Sequence, residues 1–347
     1  MTFNKLIAVI SVCMLLICMF VSSASANEEH PVTLRLDSEK LDGEVRNLRL
    51  LTKGEYKFKK LKEKYNLPST YHPDETGLDT LDASASGQFS EEQFRELAKE
   101  LRRVAKGKKI YIIDLRQECH GFLNGIPVSW YSQYNWDNYD KSLEWIEATE
   151  KERLKSLVGK QVTAYVIKSD EVTDKKVEID VTDAKTEREL VESEGFTYIR
   201  IPCTDHMWPG TEQIDQFFDF IRSVDRNDIW PHFHCVAGEG RTGIFISAYD
   251  TLKNQHVDPG DIVFRQSYLG NTYLLYQGDG TSWKDFLSYE KASYMTLLWF
   301  YIMENASTDF EKSWSDFTDS VNKFFINDPW EAVKNANMRA EWIFDDD

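Results

Sequence analysis

The chain has 347 residues, 41% hydrophobic, 13% aromatic and 29% charged, with 17 Gly and 9 Pro; this excludes collagen-like, low-complexity and largely disordered chains. A net charge of −17 argues against a nucleic-acid partner and against anionic membrane surfaces, because neutralising phosphates takes clustered Lys and Arg. It leaves room for an anionic small-molecule substrate, since a pocket can be locally positive inside an acidic shell.

At the N-terminus Lys5 precedes an uncharged apolar run from Leu6 to Val21, followed by Ser22-Ser23-Ala24-Ser25-Ala26. The run is short for a bilayer span and ends in an A-x-A site, so residues 1–26 read as a cleaved export signal. The expectation is a mature chain from Asn27, secreted or periplasmic, with no membrane association once the signal is removed. Cys13 and Cys18 leave with it, and Cys119, Cys203 and Cys235 remain. Three cysteines do not make a disulfide scaffold, and an odd number leaves at least one thiol unpaired within the chain. A Cys119–Cys203 pairing and the oligomeric state stay open. Neither C-x-x-C nor H-E-x-x-H occurs, so no metal site and no cofactor are expected.

Further along, Ser90-Glu91-Glu92-Gln93 is a capping box opening a helix with Phe94, Leu97, Leu101 and Val104 on one face, closed by Gly107. Lys109 to Leu115 reads as a buried strand, Phe196 to Cys203 as a second and Ile229 to Val236 as a third. Between the last two lie a Trp208-Pro209-Gly210 turn and an amphipathic helix bearing Ile214, Phe217, Phe218, Ile221 and Val224. A third helix runs from Thr242 to about Lys253. This alternation predicts an α/β fold with a mainly parallel central sheet flanked by helices. His30 to Leu36 and Gln161 to Val181, rich in Val, Thr and Lys, break the rhythm and predict half-exposed antiparallel strands of a small inserted β-rich unit. The expected organisation is therefore 45–155 with 190–347 for the α/β domain, and 27–44 with 156–189 for the β-rich one.

The exit of the third strand carries the chemistry: His234-Cys235-Val236-Ala237-Gly238-Glu239-Gly240-Arg241-Thr242-Gly243. A helix N-terminus offers unpaired N–H groups and the positive end of its dipole, which bind anions and favour thiolates. The five residues Val236 to Gly240 can curl their amides around one phosphate, Arg241 can grip two of its oxygens, and Thr242 can donate to the sulfur. Gly238-x-Gly240-x-x-Gly243 also fits a dinucleotide fingerprint. That reading needs an acidic residue at a strand end about 20 positions on, and the nearest candidate, Asp258, sits in a turn. A buried, inert cysteine beside a structural arginine is the bland alternative. A thiolate that attacks phosphorus needs a general acid for the departing oxygen. Asp205, after the second strand, is the candidate, against ordinary helix capping. His206 is either a phosphate contact or a packing residue.

His234-Cys235-x-x-Gly238-x-x-Arg241-Thr242 resembles the signature of the protein tyrosine phosphatase superfamily. Thr204-Asp205-His206-x-Trp208-Pro209 narrows the resemblance to the bacterial protein-tyrosine-phosphatase-like phytases. Asp114-Leu115-Arg116-Gln117-Glu118 with His120-Gly121, the Ser84 to Ser90 stretch, Arg265-Gln266 and Ser282-Trp283-Lys284 with Lys291 are similar to segments of that family. The resemblance spans about 65 to 300. It implies a phosphatase-type α/β domain with a smaller barrel-like one, and stepwise removal of phosphates from myo-inositol hexakisphosphate. It implies Cys235 as nucleophile, Asp205 as acid then base, and Arg241 with the loop amides as phosphate holder. It also implies His206, Lys284 and Lys291 as contacts to the other phosphates. The chain departs from the pattern at Pro68-Ser69-Thr70, where an arginine is usual, and at Asn135, where Asp is common. It also lacks the His-Lys pair of the inserted unit, where Lys168 or a neighbouring lysine could substitute. A tyrosine or phosphoinositide phosphatase, or a non-catalytic polyphosphate-binding module, would share the loop.

Overall fold

In the computed structural model, which describes residues 32–51, 72–275 and 283–319, the predicted alternation resolves into two sheets. The side chains of residues 283–286 and of Tyr289 also lie outside the description, as do the export segment and Pro68-Ser69-Thr70. From Thr33 onward the described residues belong to one compact unit.

The first sheet has four parallel strands: β2 (Ser84–Ser86), β3 (Lys109–Asp114), β9 (Thr197–Arg200) and β10 (Ile229–His234), in the order β2-β10-β3-β9. Strand β3 lies between β9 and β10. The physical reason is burial on both faces. Tyr111, Ile113 and Leu115 pack into one core with Phe217, Phe233 and Phe245, while Ile110 and Ile112 pack into another with Phe94, Leu97 and Trp230. A strand apolar on both faces belongs in the interior of a doubly covered sheet, and the short strands β2 and β9 take the edges.

Helix α1 (Glu91–Ala105) is opened by the predicted capping box. Ser90 Oγ accepts from Gln93 N–H and the Gln93 side chain accepts from Ser90 N–H, which satisfies two of the donors a helix start leaves open. Its C-cap is Lys106, left-handed at φ 50°, one residue before Gly107. Helix α4 (Thr211–Ser223) buries Ile214, Phe217, Phe218, Phe220 and Ile221, each contributing roughly 1.5–3 kcal/mol over an exposed position. Helix α5 (Gly240–Lys253) follows β10 directly and is buried almost throughout.

The second sheet has six strands in the order β7-β6-β1-β5-β4-β8: β1 (Thr33–Leu36), β4 (His120–Leu123), β5 (Ile126–Tyr131), β6 (Gln161–Lys168), β7 (Glu171–Asp180) and β8 (Ala184–Lys185). The expected antiparallel pairing holds for β6 with β7, but β1 runs parallel to β6 and antiparallel to β5. The hairpin of β4 and β5 was not read from the sequence, although Asn124-Gly125 is the strongest short signal for a two-residue hairpin turn. Both residues are left-handed, at φ 51° and 80°. Helices α2 (Leu143–Leu157) and α3 (Glu187–Ser193) flank these strands. The remaining helices are α6 (Pro259–Tyr268), α7 (Trp283–Asn305) and the short α8 (Trp314–Thr318). No described helix is long and apolar enough to cross a membrane.

Candidate active site

Parallel strands put their C-terminal ends on one edge, and β10 delivers Cys235 there, at the mouth of α5. The cysteine is 3% exposed, and Sγ accepts from Gly238 N–H at 3.3 Å. The loop is held from outside by its carbonyls. Arg49 Nη2 donates to Gly238 O at 2.5 Å, while Asn47 Nδ2 reaches the same oxygen at 3.2 Å and Ala237 O at 3.5 Å. In a trans peptide the N–H points opposite to the carbonyl. Anchoring those carbonyls outward therefore turns the N–H groups of Gly238 and Glu239 inward.

Gly238 is at φ 72°, and a Cβ there would lie 2.3 Å from Ser86 O, so the position admits glycine alone. Arg49 is braced in turn by Asn271, whose amide donates to Gln266, and Gln266 donates to the buried Asp250 that also binds Arg265. The Arg265-Gln266 segment thus supports the loop rather than facing a substrate.

Arg241, the second residue of α5, is buried. Its Nη1 donates to Glu118 Oε2 at 2.7 Å and its Nη2 to Glu118 Oε1 at 3.2 Å, while Nε lies 3.3 Å from Asp205 Oδ1. Burial works against the charged guanidinium, but Asp205, Glu118 and Cys235 outweigh it and hold Arg241 well above its usual range. Glu118 is also met by Arg116 at 2.9 Å and Arg35 at 3.7 Å, and stays ionised well below the ordinary range despite burial. A single carboxylate that fixes the fork of Arg241 sets the direction in which it can meet a phosphate.

Asp205 sits in the loop between β9 and α4 with its side chain 26% exposed. Asn135 Nδ2 donates to its Oδ2 at 3.2 Å and Trp136 Nε1 to its backbone oxygen at 2.8 Å. Met207 packs with Trp136 and Leu287, and Trp208 stacks on Tyr294 at 5.3 Å. Burial raises the Asp205 carboxyl, but Arg241 and then His206 pull it below its usual value, so in this state it is an anion paired with the arginine. His206 is left-handed at φ 64° and donates its N–H to Asp205 Oδ1 at 3.1 Å.

The structure thus gathers Cys235, the loop residues Val236 to Gly240, Arg241, Asp205 and His206. Thr242 differs from the expectation: its hydroxyl is buried without a hydrogen-bond partner among the described residues and does not reach the sulfur. Lys284 and Lys291 lie two turns apart on α7, which places them on one side of that helix; the Lys284 side chain is outside the described residues. Lys168 turns to Glu39, at 3.7 Å. Sequence reasoning missed the roles of Glu118, Arg49, Asn47 and Trp136. Glu118 and Trp136 at least lay in stretches already singled out, whereas Asn47 and Arg49 carry no local signal.

Cys119, Cys203 and Cys235 are all free thiols. Burial pushes Cys119 up to about 11 and Cys203 well above its ordinary value, so neither suits a nucleophilic role. Asp114, His120 and Glu187 bring three metal-capable side chains within 4.8 Å. Burial and Arg116 oppose a charge on His120, but Asp114 and Glu150 raise it to about 10. An imidazolium bridging Asp114 Oδ2 at 3.2 Å and Glu187 Oε2 at 3.4 Å accounts for the cluster, and an imidazolium is not a metal ligand.

A parallel sheet with helices on both faces, a cysteine at a strand end and an arginine opening the next helix define a protein-tyrosine-phosphatase-like α/β fold. Residues 113–253 match the family model for PTP-like phytases, described by inositol hexakisphosphate. Its fold matches a tandemly repeated PTP-like phytase from Mitsuokella multacida at 34% identity and a TM-score of 0.78, over 85% of this chain and 50% of that one. A PTP-like myo-inositol phosphatase from the same organism, solved with myo-inositol-(1,3,4,5)-tetrakisphosphate, matches at 33% and 0.78, over 87% of this chain and 51% of that one. A PTP-like phytase from Bdellovibrio bacteriovorus matches at 29% and 0.62, over 83% of this chain and 94% of that one. The effector protein hopD2 of Pseudomonas syringae pv. tomato is 32% identical over 165 residues, 46% of this chain and 35% of its own length. The chain therefore spans about half of the Mitsuokella proteins and about a third of the effector.

Proposed function

We propose that the protein is an exported phosphoric monoester hydrolase that removes phosphates from myo-inositol hexakisphosphate through a cysteinyl-phosphate. The observation that supports it most directly is the 3.3 Å contact of Asp205 with Arg241 at the helix mouth that carries Cys235. On this reading the acid and the phosphate holder share one site. In the free protein the two neutralise each other. An incoming phosphate takes the guanidinium, and Asp205, left beside a dianion, gains proton affinity and becomes the acid.

The Cys235 thiolate then attacks phosphorus in line as the P–O bond breaks, and Asp205 passes its proton to the departing inositol oxygen. In the second step Asp205 takes a proton from water, the hydroxide displaces the thiolate from phosphorus, and inorganic phosphate leaves. The inward N–H groups and Arg241 stabilise the three equatorial oxygens throughout. His206, with Lys284 and Lys291 on α7, would meet further phosphates of the ring. The β-rich segments 27–44 and 156–189, whose described strands share a sheet with β4 and β5, are taken as a subsidiary unit beside the α/β domain.

The test is phosphate release from inositol hexakisphosphate, with and without chelator, beside a phosphotyrosine peptide. Release that survives the chelator and exceeds that from the peptide is expected. Cys235→Ser should abolish turnover and keep substrate binding, and Asp205→Asn should slow turnover by roughly 10²–10⁴. Normal turnover in the Cys235 variant would overturn the mechanism, and preference for the peptide would overturn the substrate.

A further inference from the structure

The segment after β5 bends into a short turn, Gln133–Asn135, with two consecutive left-handed residues, Tyr134 at φ 56° and Asn135 at φ 68°. Asparagine accepts that conformation but tyrosine resists it, so the surroundings impose the bend. Asn135 N–H donates to Ser132 O at 2.9 Å, Asn138 Nδ2 donates to Gln117 O at 2.9 Å, and Asp137 pairs with Arg153 at 2.8 Å. Asn135, 1% exposed, is thereby held with its Nδ2 donating to Asp205 Oδ2 at 3.2 Å. Its own Oδ1 is buried without a hydrogen-bond partner among the described residues. An unpaired buried amide oxygen is costly, yet turning the amide over would set that oxygen against a carboxylate. The Asp205 anion therefore dictates the direction of the amide.

The two oxygens of Asp205 differ in consequence. Oδ1 lies 3.3 Å from Arg241 Nε and accepts from His206 N–H at 3.1 Å, whereas Oδ2 meets Asn135. The charged and titratable groups around the carboxylate are Arg241 of α5, Glu118 after β3, His206 of its own loop, and Tyr131 at the end of β5 with Asp170 beyond it. Burial pushes the carboxyl up, Arg241 and His206 bring it down against Glu118, and the Asn135 hydrogen bond adds to the lowering.

We propose that Asn135 is a positioning residue that assigns the two oxygens of Asp205: by occupying Oδ2 with a neutral donor, it leaves Oδ1 to carry the proton passed to the departing oxygen. The proposal rests on the reading of Asp205 as the general acid. A carbonyl oxygen and a carboxylate oxygen both accept from an N–H, so Asn135 keeps its bond to Oδ2 in both protonation states. Once phosphate takes the Arg241 guanidinium, Oδ1 gains a proton from solvent. It gives that proton to the leaving oxygen as the P–O bond breaks, and takes another from water as the cysteinyl-phosphate is hydrolysed.

The experiment is a double-mutant cycle, read as kcat/KM on inositol hexakisphosphate divided by kcat/KM on p-nitrophenyl phosphate. The second substrate uses the same loop, but its leaving group departs without a proton, so the quotient separates acid catalysis from folding and from the thiolate. Asn135→Gly, which keeps a left-handed backbone available, should lower the quotient by roughly 10–10², the size expected of one hydrogen bond to a charged group. In an Asp205→Asn background the same change should alter it by less than about twofold, since no acid is left to position. Asn135→Asp should move the alkaline limb of the kcat/KM profile on inositol hexakisphosphate up by about one pH unit or more, because a second carboxylate raises the proton affinity of Asp205. Equal losses in the two backgrounds overturn the proposal, as does an alkaline limb that stays in place in Asn135→Asp. Should Asp205→Asn itself leave the quotient unchanged, Asp205 is not the acid, and the role of Asn135 falls with that reading. If the wild type turns over p-nitrophenyl phosphate and not inositol hexakisphosphate, the substrate reading alone fails, and β-glycerophosphate, another poor leaving group, decides the role of Asn135 in the same cycle.

Discussion

Glu118 shows how much a single buried carboxylate can settle. It binds Arg241 through both oxygens and also meets Arg116 and Arg35, with all four side chains at 10% exposure or less. A buried pair adds little stability over apolar packing, but removing one partner leaves the other charged and unpaired. Here three guanidiniums would be left short of their counter-ion. Glu118→Ala should cost about 3–5 kcal/mol in urea unfolding. It should also cost turnover, because Arg241 loses the fork that aims it. A loss under about 1 kcal/mol would show that Asp37, which also holds Arg116 and Arg35, suffices alone.

At the next scale, the loop from Cys235 to Arg241 is not a self-sufficient element. Its carbonyls lean on Arg49 and Asn47, and its Gly238 closes against the backbone of Ser86 and Gly87 in β2 and the turn after it. Gly238→Ala would place a methyl group 2.3 Å from a carbonyl oxygen that cannot rotate away, on a backbone that L side chains resist. The loop must shift, and a displacement of about 1 Å in a catalytic group costs on the order of 10² in rate. Steady-state kinetics should show that loss while far-UV circular dichroism stays native. Undiminished kinetics would mean that the loop adapts. The cap of α1 gives the contrasting case. Ser90 closes the capping box and also donates to Leu41 O. Ser90→Ala should lower unfolding stability by about 1–2 kcal/mol and leave kcat unchanged, because α1 carries no site residue.

Across the whole molecule, buried charges stitch the two sheets together. Asp114 ends β3, His120 begins β4, Arg200 ends β9 and Glu187 opens α3, and all are buried. Arg200 donates to Glu150 at 2.8 Å and to the backbone oxygens of Arg116 and Glu118. His120, raised from 6.5 to about 10, binds its proton more tightly folded than unfolded. Its contribution is complete below about pH 6.5 and drains away as pH climbs toward 10. Burial raises Asp114, but its pairing with His120 prevails and lowers it from 3.8 to about 2, so its contribution is present above about pH 4 and is lost on acidification toward 2. Urea midpoints should therefore fall between pH 6.5 and 10, and His120→Gln should flatten that slope. An equal slope in the variant would assign the alkaline loss to other groups.

The sequence alone determined whatever depends on neighbours along the chain. The capping box of α1, the apolar strands β3, β9 and β10, and the identity of the loop that presents Cys235 and Arg241 were legible from residue types a few positions apart. Tertiary structure decided what depends on residues far apart in the chain. Strand order placed β3 between β9 and β10, and β1 became a parallel partner of β6. Arg49 came to hold a loop 189 residues away, Trp136 and Asn135 came to grip Asp205, and the tip of β6–β7 came to rest against His206. Such contacts are set by the packing of two sheets and their helices on shared cores, and no periodicity of a single segment encodes them.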